Sequence, residues 1–294
     1  MNSQRVLLIG ENGQLGAVLK ERFQKHETFF SISRKELDIT DIKEISASYL
    51  KYKPDIIINA TAYTEVDQAE DDQESAFQVN CQGIKNLVDC IPLECKLIHI
   101  STDFVFSGNS KVPYKNCDKV EPVNIYGLSK VCGEKRIVNA RNSQYLIFRT
   151  SWLYSESTKN FVTSILHALK EKSELSVVGD QFGSPTSVYS LADIIERSLC
   201  DNNVYGLFHW CDEGEITCYD FAVEIQNQAI KLGIIEKIKP IKEINSRDYK
   251  SRAKRPKYSV LDCNNTCERF GLKQKYWKDA LFYVMKKISL QICN

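Results

Sequence analysis

Through the first half of the chain, short runs of consecutive apolar residues alternate with amphipathic stretches. The runs occupy residues 5–10 (RVLLIG), 28–33, 54–60 (PDIIINA), 96–101 (KLIHIS) and 144–150 (QYLIFRT). Between them, residues 14–25, 41–52, 73–90 and 124–140 carry apolar side chains at helical spacing, with Leu15, Val18, Leu19 and Phe23 on one side of the first. Strands that are apolar at every position have both faces covered, and strands joined by helices pair in parallel. The pattern predicts an α/β fold, a doubly wound Rossmann-type parallel sheet.

After residue 150 the rhythm breaks. Residues 155–160 read as a polar loop, 161–172 as a helix and 175–178 as a short strand, and the rest mixes helices with short runs. We expect residues 1–150 to form a dinucleotide-binding domain, with a strand near 173–188 returning to its sheet. Residues 151–172 and 189–294 are then mainly a smaller α/β substrate-binding lobe. No internal repeat interrupts this division, and the basic stretch 237–257 reads as solvated surface.

Composition narrows the function. A chain of 294 residues, 43% hydrophobic and 26% charged, is ordinary globular material. With 39 basic against 38 acidic residues the net charge is +1, so no strong field draws the protein to nucleic acid or anionic lipid. A small molecule is the better partner. No apolar run reaches the length of a membrane span or of a signal peptide's core, which predicts a cytoplasmic protein. Eleven cysteines, odd in number and scattered from Cys81 to Cys293, fit reduced thiols better than a disulfide framework. The four histidines lie far apart and no CxxC occurs, so no zinc or other metal site is expected.

Three glycines, Gly10, Gly13 and Gly16, follow the first strand and open the first helix. That context lets a pyrophosphate approach backbone N–H groups at a helix N-terminus. The spacing is GxxGxxG, whereas the usual dinucleotide fingerprint is GxGxxG. Past the second strand, at the place of the residue that meets the adenosine ribose, stands Arg34. An arginine there suits a 2′-phosphate and leans toward NADPH, although a surface arginine explains it equally well.

Tyr126 and Lys130 form a YxxxK pair, which puts both side chains on one helix face. Tyr49/Lys53 and Tyr283/Lys287 share the spacing, so position must choose between them. Only Tyr126 opens a helix one unit after KLIHIS, whose carboxyl end carries Ser101, Thr102 and Asp103. Ligands of open α/β sheets bind at those ends. The three residue types suit reduction of a carbonyl: Tyr126 donates a proton, Lys130 lowers its pKa, and the Thr102 hydroxyl holds the substrate oxygen.

Together these residues resemble the extended short-chain dehydrogenase/reductase superfamily. GENGQLG, PDIIINATAYTEVDQAE, STDFVFSG, PVNIYGLSKVCGE, FRTSWLY, VVGDQFGSPT and RPKYSVLD are similar, in that order and spacing, to the dTDP-4-dehydrorhamnose reductase family. The resemblance implies NAD(P)H-dependent reduction of the 4-keto group of dTDP-4-dehydro-6-deoxy-L-mannose to dTDP-L-rhamnose, with NADPH as cofactor and NADH as the alternative. It implies Thr102, Tyr126 and Lys130 as the catalytic set, and Asp103, Trp152 and Arg255 beside the substrate. For Trp152 the competing explanation is core packing, and for Arg255 a surface salt bridge. Gly13, Gln14, Leu15, Asp38, Ile39, Ala62, Tyr63 and Thr64 match dinucleotide contacts, and Asn80 matches an asparagine that supports the lysine. Some members dimerise through Mg²⁺ held by glutamates, but Val18 and Tyr189 stand at the matching positions. Neither ligates a hard cation as a carboxylate does, so a monomer or a homodimer without a metal bridge is expected, and Mg²⁺ is not expected to be required.

Two other readings stay open. One is a reductase of another nucleotide-linked 4-keto-6-deoxy sugar. The other is a non-catalytic NADP-binding regulatory subunit resembling the β chain of methionine adenosyltransferase, which GLFHWCDEGEITCYDFA and RPKYSVLDC also look like. RTSWLY and DQFGSPT favour the enzyme.

Overall fold

The computed structural model describes residues 4–141, 144–201 and 203–292. Cys293 therefore lies outside the described residues. The first half is built from β1 (Val6–Ile9), α1 (Gln14–Phe23), β2 (Phe29–Ile32), α2 (Ile42–Tyr52) and β3 (Ile56–Asn59). Next come α3 (Gln68–Asp71), α4 (Gln73–Phe77), a π-helical segment (Gln78–Gly83), α5 (Ile84–Cys90), β4 (Lys96–Thr102), α6 (Ile125–Arg141) and β5 (Tyr145–Thr150). Beyond β5 follow β6 (Leu153–Tyr154), α7 (Phe161–Glu171), β7 (Leu175–Val178), β8 (Phe182–Gly183), β9 (Thr186–Ser187) and α8 (Val188–Leu199). The chain closes with β10 (Gly206–His209), β11 (Ile216–Thr217), α9 (Cys218–Lys231), β12 (Ile241–Ile244), α10 (Asn264–Phe270) and α11 (Trp277–Ile292).

Six strands form the central sheet in the order β10-β5-β4-β3-β1-β2, and every pair is parallel. Alternate residues of the apolar strands feed two cores. Val6, Leu8, Ile56, Ile58, Ile98 and Leu146 join one, and Leu7, Ile9, Ile57, Leu97 and Ile147 join the other. Period-two alternation with both sets apolar is the signature of a sheet covered on both faces. The first core takes in α1 and α8 and continues into α9 and α11, so one hydrophobic body joins the sheet to the second lobe.

Three expectations are corrected. The strand at Leu175–Val178 pairs with Ile241–Ile244, in a two-stranded sheet apart from the main one, and the strand that extends the main sheet is β10. Periodicity can mark a strand but carries no information about its partner. The single helix expected over 73–90 is broken by the π-helical turn, where the Asn80 side chain is drawn to Tyr63 and Ser129. The reduced-thiol expectation fails at Cys81 and Cys132, which a disulfide joins across a Cα–Cα distance of 5.2 Å. Gly133 lets that approach happen, because a Cβ there would lie 2.2 Å from the Asn80 carbonyl oxygen. The other described cysteines are free.

Candidate active site

Order reverses in the sheet at β1, which pairs with β2 on one side and β3 on the other. A crevice opens outside the carboxyl ends at such a point. Gly10 leaves β1 with φ +94°, which favours glycine, and a Cβ on Gly16 would lie 2.0 Å from the Gly10 carbonyl oxygen. The turn is thus held tight against the start of α1, for which Gly13 is the N-cap, with no side chain over its first N–H groups. This is a cradle that a Cβ would fill, and it fits a dinucleotide pyrophosphate. Gln14 accepts from Ser155 (2.8 Å) and Asn160 (3.2 Å), which ties the cradle to the second lobe. Leu15 and Ile39 are buried in the two cores.

Arg34 lies at the crevice edge, largely exposed, and reaches back to Asp38 at 3.1 Å. Asp38 also accepts from the Thr40 backbone and hydroxyl, and these bonds hold its carboxyl below the usual range against the opposing effect of burial. Ala62, Tyr63 and Thr64 follow β3 outside any helix or strand. Asn80 clamps Tyr63 through both backbone groups (2.9 and 3.0 Å) and donates to Ser129 at 2.9 Å. Its side-chain contact on α6 is with Ser129, the residue before Lys130.

Thr102, Asp103, Tyr126 and Lys130 come together where α6 starts against the end of β4. The Thr102 hydroxyl donates to Asp103 at 3.1 Å and accepts from the Phe104 N–H at 3.1 Å. Burial pushes the Asp103 carboxyl up to about 7, opposed by the Ser259 and Thr102 hydroxyls, and its Oδ2 has no hydrogen-bond partner. Tyr126 sits edge-on to Phe104, with ring centroids 5.9 Å apart. Burial pushes its phenol up to about 12, although the Thr102 hydroxyl pulls the other way. Lys130 is buried, which pulls its ammonium down to about 8 against the attraction of Glu134. Its Nζ donates to the Ile100 carbonyl at 2.7 Å and lies 3.3 Å from His99 Nε2. The expected lowering of the Tyr126 pKa by Lys130 is thus absent in this arrangement, because desolvation dominates and the ammonium is turned toward β4.

Trp152 has a left-handed backbone (φ +45°), and its ring lies over Gly183, where a Cβ would meet it at 2.6 Å. Phe221 stacks beside it at 6.5 Å. Arg255 makes two bonds to Asp67, at 2.6 and 3.2 Å, which is the salt bridge. Sequence reasoning missed the buried scaffold behind the site. Glu134 accepts from Ser101 (2.5 Å) and from Arg149 Nε and Nη2 (2.9 and 2.7 Å). The available signal was polar residues inside otherwise apolar strands, which stay buried only when paired. An open cleft of about 470 Å³ is lined by residues that include Lys111, Asp180, Phe182, Glu215, Lys257 and Tyr258.

A parallel sheet with a glycine turn at its switch point, and a Tyr–Lys helix against the end of the fourth strand, define a Rossmann-type NAD(P)H-dependent oxidoreductase of the short-chain dehydrogenase/reductase kind. Residues 4–290 match the family model described as RmlD substrate binding domain. The chain is 35% identical to the dTDP-4-dehydrorhamnose reductase of Aggregatibacter actinomycetemcomitans, covering 94% of this chain and 97% of that protein. It is 32% identical to the spore coat polysaccharide biosynthesis protein SpsK of Bacillus subtilis (94% and 95% covered). The crystal structure of the dTDP-4-dehydrorhamnose reductase of Bacillus anthracis in complex with NADP superposes with a TM-score of 0.88, at 34% identity, covering 97% of this chain and 99% of that one. The protein belongs to the dTDP-4-dehydrorhamnose reductase family. Among the described residues no helix is long and apolar enough to cross a membrane.

Proposed function

We propose that the protein reduces the 4-keto group of dTDP-4-dehydro-6-deoxy-L-mannose to give dTDP-L-rhamnose, with NADPH as the preferred reductant. One observation carries this reading. The Tyr126 phenol, one helical turn from Lys130 on α6, faces a threonine hydroxyl and a buried carboxyl with an unpartnered oxygen at the carboxyl end of β4. The glycine turn and residues 62–64 would hold the dinucleotide, which supplies the hydride when bound. Arg34 stands where it can meet a 2′-phosphate once released from Asp38.

Thr102 donates to the ketone oxygen and fixes it beside Tyr126. Tyr126 gives its proton to that oxygen as the hydride arrives at carbon, so the C=O bond becomes C–H and O–H, and the phenolate is refilled from solvent. Lys130, one helical turn along α6, would favour the transient phenolate once its ammonium turns from the Ile100 carbonyl toward Tyr126. The Asp103 carboxylate accepts from a sugar hydroxyl through Oδ2, and the Trp152 ring walls the sugar. In the open cleft, where Lys111 and Lys257 are balanced by Asp180 and Glu215, the rings of Phe182 and Tyr258 suit a nucleoside.

The test mixes purified protein with an enzymatically prepared 4-keto-6-deoxy-L-sugar nucleotide, follows NADPH absorbance and identifies the product by NMR. Turnover to dTDP-L-rhamnose that falls at least about a hundredfold in Tyr126→Phe is the expected result. A different epimer would reassign the substrate, and NADPH binding without turnover would point to a regulatory subunit.

A further inference from the structure

Asn59 and His99 are register partners on β3 and β4, and with Lys130 they form a line of side chains cut off from water, at 0%, 0% and 2% exposure. The line has one consistent set of donors. Asn59 Oδ1 accepts from the Thr61 N–H at 3.1 Å and from the Thr61 hydroxyl at 2.6 Å. Two donors on one oxygen fix which end of the amide is which, so the Asn59 NH₂ faces His99 Nδ1 at 3.2 Å. An NH₂ group only donates, so Nδ1 must accept, and a neutral imidazole that accepts at Nδ1 carries its proton on Nε2. Nε2 lies 3.3 Å from Lys130 Nζ. The ring stays neutral because burial and the neighbouring lysine hold its pKa well below 6.5.

We propose that His99 is a positioning residue for the reaction: held by Asn59 with its proton on Nε2, it aims an N–H at Lys130 and weakens that amine's grip on its own proton. An N–H donates to the lone pair of a neutral amine but repels an ammonium, so the charged form keeps only the Ile100 carbonyl on this side. The effect has the same direction as the desolvation that brings Lys130 down to about 8, and it works against Glu134. Three carboxylates on or against α6 have partners of their own, and Arg141 at its far end is bonded to the Ile91 and Pro92 carbonyls. Glu134 is shared with Arg149 from β5, Asp103 faces Tyr126 from the turn after β4, and Glu70 from α3 accepts from the Ile125 N–H. None of these is hydrogen-bonded to His99; its two partners among the described residues are Asn59 and Lys130, and of these only the Asn59 NH₂ has a fixed donor role, since an amine that has lost its proton accepts. The consequence for catalysis rests on the ketone-reduction reading, whereas the tautomer does not. If Lys130 must be charged for turnover, the alkaline limb of kcat/KM reports its proton loss.

Two measurements test this. The first is ¹⁵N and ¹³C NMR of the His99 ring in the wild-type protein without substrate, from pH 5 to 9. A proton on Nε2 that does not titrate is expected; a proton on Nδ1, or titration near 6.5, overturns the proposal. The second is Asn59→Asp, which keeps an oxygen for both Thr61 donors and replaces the NH₂ by an acceptor. It should move the ring proton to Nδ1 and turn Nε2 into an acceptor for the Lys130 ammonium. The alkaline limb should then shift upward by about one pH unit with the KM for NADPH little changed. A uniform loss of rate with an unmoved limb would mean that the line is only structural, and overturns the role assigned to His99. Should Asn59→Asp fail to fold, the wild-type spectrum still decides, and should the protein reduce no ketone, the spectrum stands apart from that failure.

Discussion

Asp103 pays for its position in the ionised state, since its carboxyl titrates at about 7 in the fold and near 4 in an unfolded chain. A raised folded pKa means that the native state holds the proton over the range where the unfolded state has lost it. Stability is therefore unaffected below pH 4, declines as pH rises from 4 to 7, and is lowest above 7. Asp103→Asn removes the titration. The variant is expected to be more stable than wild type by about 2 to 4 kcal/mol at pH 8, with the gap closing toward pH 4, as read by denaturant unfolding at several pH values. A gap that stayed constant with pH would count against the raised pKa. If Oδ2 holds a sugar hydroxyl, the same variant loses substrate affinity while NADPH binding is kept. The grouping of Thr102 and Asp103 with Tyr126 and Lys130 was legible because strand ends and a helix start are marked by pattern. The direction in which Lys130 points was not. Nothing in YxxxK spacing distinguishes an ammonium aimed at a phenol from one drawn to the Ile100 carbonyl and to His99.

At the scale of elements, α6 is the part on which the site depends, and two of its contacts can be tested separately. Behind it, Glu134 bonds Arg149 and Ser101 with almost no exposure, so α6 is tied to both β4 and β5. Glu134→Gln leaves the Arg149 charge buried without its carboxylate, and a destabilisation of about 3 to 5 kcal/mol is expected by chemical unfolding. Loss of Tyr126-dependent turnover should accompany it even where the chain stays folded. Along its side, α6 rests on the π-helical turn through Gly133, where a Cβ would overlap the Asn80 carbonyl oxygen. Gly133→Ala should push the helix off that turn and lower kcat more than it raises the KM for NADPH. Steady-state kinetics beside a thermal melt would separate this from simple unfolding. The helix pattern over 73–90 was readable, yet its π-helical break was not. The apolar positions continue in step across it, and the cause is one polar side chain, Asn80, satisfying backbone groups that come from elsewhere in the chain.

For the whole molecule, the doubly wound sheet could be read because each buried strand is apolar on both faces, as Val6–Ile9 and Ile56–Asn59 show. The second lobe is less legible because its strands are short and their partners distant in sequence: Leu175–Val178 pairs with Ile241–Ile244 and not with the main sheet. The same lobe bears on assembly. Val18 is buried in the first core, and Tyr189 is buried with its hydroxyl on Glu156, its ring edge-on to Tyr283 at 5.0 Å and Lys287 over its face. Apolar and aromatic groups fill these two positions, and the Glu156 carboxylate beside Tyr189 takes the Tyr189 hydroxyl on Oε1. A hard cation needs several oxygen ligands, commonly carboxylates, and neither Val18 nor Tyr189 supplies one. Added EDTA is therefore expected to leave both the turnover rate and the size-exclusion elution volume unchanged. Inhibition reversed by Mg²⁺, or a shift in elution volume restored by it, would show that carboxylates elsewhere on the surface bridge two copies of the chain.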